Sequence, residues 1–133
     1  MSFLPEDRGA ELRALFFESA AEVLQVINDA GLQLEKRPAD EELIRGVRRA
    51  VHTLKGDSAA CGFNKLSEIA HELEDILSPQ VAQDHGPKLA EVVLSAVDAF
   101  EGMLSAYQKQ LEPPSAAPLR TLIHGLLESR DKV

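Results

Sequence analysis

Apolar residues in this chain recur at three- and four-residue steps, and nowhere in sustained two-residue alternation. That period confines the chain to helices, because 3.6 residues per turn gather such positions on one face. Proline, glycine and polar breaks cut the pattern into five segments. The first predicts a helix over 8–36, with Leu12, Leu15, Phe16, Ser19, Val23, Val26, Ile27, Ala30 and Leu34 inward. Pro5, Glu6 and Asp7 suit its positive end and Lys36 and Arg37 its negative end, and Pro38 stops it. A second helix is predicted over 40–61, capped by Asp40. Leu43, Ile44, Val47, Ala50, Val51, Leu54, Ser58 and Cys61 form its inward stripe, and Gly62 is its expected C-terminal stop. Asn64 is placed to cap a third helix over 65–77, with Leu66, Ile69, Ala70, Leu73, Ile76 and Leu77 inward.

A polar loop is expected over 78–86. Pro87 then opens a helix over 87–110, with Leu89, Val92, Val93, Ala96, Phe100, Met103, Leu104 and Tyr107 on its stripe. A proline-rich linker over 112–118 leads to a last helix over 118–129, with Leu119, Leu122, Ile123, Leu126 and Leu127 inward. The expected fold is all-α: an up-and-down antiparallel four-helix bundle with an additional fifth, C-terminal helix, forming a single domain over 1–133.

The formal net charge of -8 argues against nucleic acid as a partner, since phosphate backbones attract basic surfaces. The start of the chain lacks the basic stretch and apolar run of a signal peptide. No apolar run approaches the roughly 18 residues that a membrane span requires. A single cysteine, Cys61, rules out an internal disulfide framework and fits a reducing compartment. These features predict a cytoplasmic chain with no membrane contact.

The chemistry concentrates between Ala50 and Phe63. His52, Lys55, Gly56 and Ala59 lie three and four apart and share one helix patch. The patch holds an imidazole, a fixed positive charge and almost no side-chain bulk. A histidine phosphorylated by one protein and dephosphorylated by another needs such a setting. The lysine offsets phosphoryl charge, and the small residues admit a partner's active site. Arg45, Arg48 and Arg49 make the same helix locally basic. They serve either as a landing site for an acidic partner or as compensation for acids on the first helix. His71 and Glu74, three apart, share a face of the third helix with Ser67 and Ser78. If helices two and three are antiparallel, Glu74 reaches His52. There its carboxylate fixes the imidazole tautomer and leaves the other nitrogen as nucleophile. The alternative is a surface pair between His71 and Glu74 worth a few tenths of a kcal/mol. Gly56 in mid-helix costs about 1 kcal/mol relative to alanine, which either a close helix crossing or access to the histidine would explain. Gly46 and Gly102 read as packing or tolerated glycines, and His85 and His124 as loop or surface residues.

The run His52-Thr53-Leu54-Lys55-Gly56 with Gly62-Phe63 resembles the signature of histidine phosphotransfer domains. Residues 15–20, 34–40 and 70–77 extend the resemblance to the N-terminal phosphotransfer domain of CheA-type chemotaxis histidine kinases. The resemblance implies a five-helix fold with a four-helix core and phosphorylation at His52. The family's lysine, second histidine and orienting glutamate fall on Lys55, His71 and Glu74. It implies two partners, a kinase ATP-binding domain that donates and a response-regulator receiver domain that accepts around Arg48, Gly56 and Ala59. It implies no bound cofactor, the phosphoryl group coming from ATP on the kinase domain, and a monomeric carrier. No ATP-binding motif is present, so the chain reads as the N-terminal part of such a kinase or a partner to one. Asp57 departs from the family, which commonly has a small residue there. Two other readings remain: a sensor-kinase dimerisation helix phosphorylated at His71, and a metal site built from His52, His71 and Glu74. A purely structural bundle is the third, and it leaves the His52–Gly56 patch unexplained.

Overall fold

The computed structural model describes residues 5–82 and 86–131. It contains α1 (Pro5–Lys36), α2 (Glu41–Ala60), α3 (Asn64–Ile76), the single-turn α4 (Pro79–Ala82), α5 (Pro87–Gln108) and α6 (Ala117–Asp131). There is no strand among the described residues. Helix α1 packs against α2 and α5, and α2 packs against α3, giving a four-helix bundle of α1, α2, α3 and α5. Helix α6 lies across α3 and α5. No helix of the described residues is long and apolar enough to cross a membrane.

The core is mainly aliphatic. Ile27, Leu34, Val47, Val51, Leu54, Leu66, Ile69, Leu73, Phe100 and Met103 are fully buried, each of the larger ones contributing about 1.5–3 kcal/mol by leaving water. Helices α2, α3 and α5 bury the stripes expected of them, with Leu43, Ala50, Cys61 and Tyr107 only half-buried at their edges. In α6, Leu119, Ile123 and Leu126 are buried while Leu122 stays exposed.

Helix α1 departs from its expected stripe. Leu12 and Leu15 are each 62% exposed and Val26 is 54% exposed. The inward line runs instead through Phe16, Ala20, Leu24, Ile27, Gly31 and Leu34. The cause is the approach of α5. A Cβ on Gly31 would come within 2.8 Å of the Leu94 side chain, so the two helices meet closely there. That contact turns the face bearing Ala20, Leu24 and Gly31 inward and leaves Leu12, Leu15 and Val26 at the margin.

The expected loop over 78–86 holds α4, whose Val81 and Ala82 are buried against the bundle. His85 lies outside the described residues. Asp40 caps α2 as expected, accepting from Leu43 N–H at 3.0 Å. Asn64 does not cap α3; it is the first helical residue and Phe63 precedes it without a side-chain cap. Phe63 is fixed by its ring, stacked on Tyr107 with centroids 4.2 Å apart and also touching Phe16 and Phe17. This stack ties the α2–α3 turn to the end of α5, and the Lys65–Glu112 ion pair at 2.9 Å adds a second link there.

The ends of α2 and α5 are built alike. Gly62 N–H bonds Ala59 O and Phe63 N–H bonds Ser58 O; Gln110 N–H bonds Tyr107 O and Leu111 N–H bonds Ala106 O. Both motifs need one residue with positive φ, Gly62 at 81° and Gln110 at 59°. Side chains in that region cost about 1–2 kcal/mol. Gly62→Ala should therefore lower unfolding free energy by about 1 kcal/mol. Gln110→Gly should raise it by less, because glycine also loosens the unfolded chain. Urea denaturation of both variants checks this; opposite signs are expected.

Candidate functional site

The tight turn at Gly62 folds α3 back along α2 and brings residue 74 level with residue 52. A further contact holds that register. Ser67 Oγ donates to the Lys55 carbonyl at 3.0 Å, from α3 to α2. The buried Ser58 hydroxyl is satisfied within α2, donating to Leu54 O at 2.7 Å. Helix spacing places Ser67 only on the face of His71. Its role in joining the helices depends on a tertiary contact that spacing does not encode.

At the centre of the site one carboxylate serves two helix-α2 groups. Glu74 Oε1 lies 3.0 Å from His52 Nδ1, and Glu74 Oε2 accepts from Lys55 Nζ at 2.6 Å. The Glu74 side chain is only 14% exposed, Lys55 25% and His52 66%. Burial pushes the Glu74 carboxyl upward, but hydrogen bonds from Lys55 and His52 outweigh it and hold the group below its ordinary 4.5. Glu74 is thus ionised at neutral pH and can only accept. Nδ1 of neutral His52 must carry the hydrogen, which leaves the Nε2 lone pair directed away from Glu74 on an exposed ring. The contact of Glu74 with His52 expected from antiparallel packing is present. The His71–Glu74 surface pair is not.

His71 lies on the exposed face of α3, in a hollow of about 600 Å³ beside Lys55, Gly56, Ala59, Ser67 and Arg120. Its side chain makes no hydrogen bond or ion pair among the described residues. Gly56 is not a helix crossing: a Cβ there would meet nothing within 4 Å. The same holds for Gly46, while a Cβ on Gly102 would touch Pro114 at 3.6 Å. Gly56 and the exposed Ala59 therefore leave the surface beside Lys55 bare. Arg45, Arg48 and Arg49 are all exposed, and none makes an ion pair among the described residues. Asp57 is exposed and sits about 140° round the helix from His52. It bears instead on Cys61, whose thiol is pushed up first by burial and then by the Asp57 charge.

A second carboxylate arrangement escaped sequence reasoning. Glu72 Oε2 accepts from Arg120 Nε at 2.7 Å, and Glu72 Oε1 lies 3.1 Å from His124 Nε2. It fastens α6 to α3. The i, i+4 spacing of Arg120 and His124 was the available signal. A metal site at His52, His71 and Glu74 is not assembled. Lys55 occupies the second oxygen of Glu74, and no group of three His, Cys, Asp or Glu able to hold a metal ion exists among the described residues.

The family model for the Hpt domain matches residues 11–126. The chain is 34% identical over 99 residues to the chemotaxis protein CheA of Listeria monocytogenes, covering 71% of this chain and 16% of that protein. It is 34% identical over 98 residues to CheA of Bacillus subtilis (69% and 14%), and 32% identical over 99 residues to CheA of Halobacterium salinarum (70% and 14%). The chain thus spans 14–16% of the length of these relatives. Among solved structures it resembles the phosphorylated P1 domain of CheA3 in complex with CheY6 from R. sphaeroides. The TM-score is 0.73 at 24% identity, covering 92% of this chain and 97% of that one. This likeness establishes the fold.

Because Glu74 binds its proton less readily folded than unfolded, its stabilising contribution is complete above its ordinary 4.5 and is lost as pH falls through the lower folded value. Urea denaturation from pH 7 to pH 3 should show Glu74→Gln less stable than the parent at pH 7 and less dependent on acid. Parallel pH profiles would show the carboxylate to be uncoupled from folding. In long-range 15N–1H spectra, Glu74→Ala should shift neutral His52 from the Nδ1–H toward the Nε2–H tautomer.

Proposed function

The chain belongs to the Hpt domain family, the phosphotransfer domains of two-component signalling, and we propose that it carries phosphoryl groups on His52 in a chemotaxis relay. The observation that carries the reading is the Glu74 carboxylate shared between His52 Nδ1 and Lys55 Nζ. The Nε2 lone pair attacks the γ-phosphorus of ATP held on a separate kinase domain. The bond from phosphorus to the bridging oxygen breaks, and ADP leaves with that electron pair. The hydrogen on Nδ1 stays in the bond to Glu74, whose negative charge offsets the positive charge that the phosphorylated ring acquires. Lys55 stands one turn away and offsets charge on the phosphoryl oxygens. No bound cofactor takes part on this chain.

In the second step a carboxylate oxygen of a receiver-domain aspartate attacks phosphorus. The P–N bond breaks and returns its electron pair to Nε2. The receiver approaches over Arg48, His52, Lys55, Gly56 and Ala59, with the exposed His71 lining the adjoining hollow. Support comes from the bare surface at Gly56 and Ala59, and from the relative described as a phosphorylated P1 domain in complex with CheY6. The setting is the cytoplasm and the isolated domain works as a monomer. His71 stands apart from the Glu74 contacts and does not share the arrangement that prepares His52.

His52→Gln incubated with the kinase domain and ATP should take up no acid-labile phosphate. Wild-type labelling of that variant would move the assignment to His71. Lys55→Ala should slow transfer about tenfold, the scale of one charge-assisted hydrogen bond, with circular dichroism unchanged. Gly56→Gln should keep or gain helix stability while transfer to the receiver collapses. Normal transfer by the folded variant would show that the partner does not approach this face.

A further inference from the structure

A hollow lies on the same α2–α3 seam as His52, toward the N-terminus of α2. It measures about 280 Å³. Its floor is the core itself, Ile44, Leu77 and Ala82, and its rim carries Arg45, Arg48 and Pro79. Glu41 stands at the end farther from His52. One carboxylate against two guanidinium groups leaves the rim positive. Arg48 is one turn before His52 and Arg45 about 10 Å before it along the axis. Helix α4 supplies Ala82 and Pro79, so the hollow exists because the segment after α3 folds back as a helical turn.

Two observations say what fills it. The first is size. At about 280 Å³ the hollow lies at the small end of ligand sites and has room for a protein side chain on its apolar floor. The second is charge. In a chain of net charge -8, the three arginines of α2, Arg45, Arg48 and Arg49, hold no carboxylate among the described residues, and two of them stand on this rim. Two cations left unpaired beside an apolar hollow fit an apolar side chain flanked by acids. Resting on the phosphotransfer reading above, we propose that this hollow anchors an apolar side chain of the receiver domain, with carboxylates of that domain on Arg45 and Arg48. In-line transfer brings the acceptor carboxylate to about 3–3.5 Å from phosphorus. The acidic surroundings of that acceptor then lie over His52, and residues beside them reach one turn further to the hollow. An apolar anchor ringed by charge pairs is the arrangement that concentrates binding energy in a small interface.

The test uses a receiver domain that takes phosphoryl groups from this protein. The protein is labelled at the methyls of Ile44, Leu77 and Ala82 and titrated with that domain. In parallel, Arg45→Glu and the conservative Arg45→Lys are each phosphorylated by the kinase domain and then mixed with the receiver. The expected result is a shift of all three methyl signals on receiver binding. Phosphorylation of Arg45→Glu should stay within about twofold of the parent. Its transfer should fall at least tenfold at low salt, the deficit shrinking as salt rises, and Arg45→Lys should restore most of it. Unmoved methyls, or unchanged transfer by Arg45→Glu, would overturn the inference. So would a loss confined to phosphorylation, which would assign the hollow to the kinase domain. Failure of the underlying reading shows separately, as a parent protein whose His52 takes no phosphate.

Discussion

The arrangement of the site depends on a single half-buried carboxylate having two partners. Glu74 is mostly out of water, and an ionised group in that position is costly unless both oxygens are satisfied. Lys55 satisfies one and His52 the other. The lysine keeps the carboxylate ionised, and the ionised carboxylate dictates which imidazole nitrogen holds the hydrogen. Remove the lysine and the histidine loses part of what orients it, although the two side chains are joined only through Glu74. The three groups therefore act as one unit, and the effects of changing them should not add.

That unit requires α2 and α3 to be held in one register. A slip of one residue along α3 would rotate Glu74 by about 100° and swing it away from α2. The turn at Gly62, the aromatic stack of Phe63 on Tyr107 and the Ser67 bond to the Lys55 carbonyl all oppose such a slip. On the other flank of α3, Glu72 takes Arg120 and His124 from α6. Residues 72 and 74 are two apart on a helix and so face opposite sides. Helix α3 is thus braced from both sides by carboxylates, one turned to the chemistry and one to the fifth long helix.

Much of this was legible in the sequence where local rules decide. The period of apolar residues gave α2, α3 and α5 their inward faces, and Asp40 and Gly62 marked the ends of α2 through cap and turn chemistry. The His52–Gly56 run and Glu74 were readable because helix spacing and one assumption, antiparallel packing, bring them together. What escaped was tertiary. The face of α1 is chosen by the close approach of α5 at Gly31, which apolar periodicity alone cannot show, since Leu12, Leu15 and Val26 satisfy it equally well. Pairing Glu72 with α6 required knowing where α6 lies. Spacing alone does not separate access at Gly56 from a helix crossing; the open space around it does.

The exposure of His52 has a consequence for time. A phosphoryl group on Nε2 would stand where a partner can reach it, and water can reach it as well. The described residues place no cover over the ring, and the bare surface at Gly56 and Ala59 is open to both. A charge carried this way has a lifetime, set by hydrolysis, that begins when the bond forms. Its value as a message depends on meeting a receiver before that interval ends. On the proposed reading, the positive groups along α2 would shorten the search, and the domain would work as a clock whose accuracy rests on the speed of encounter.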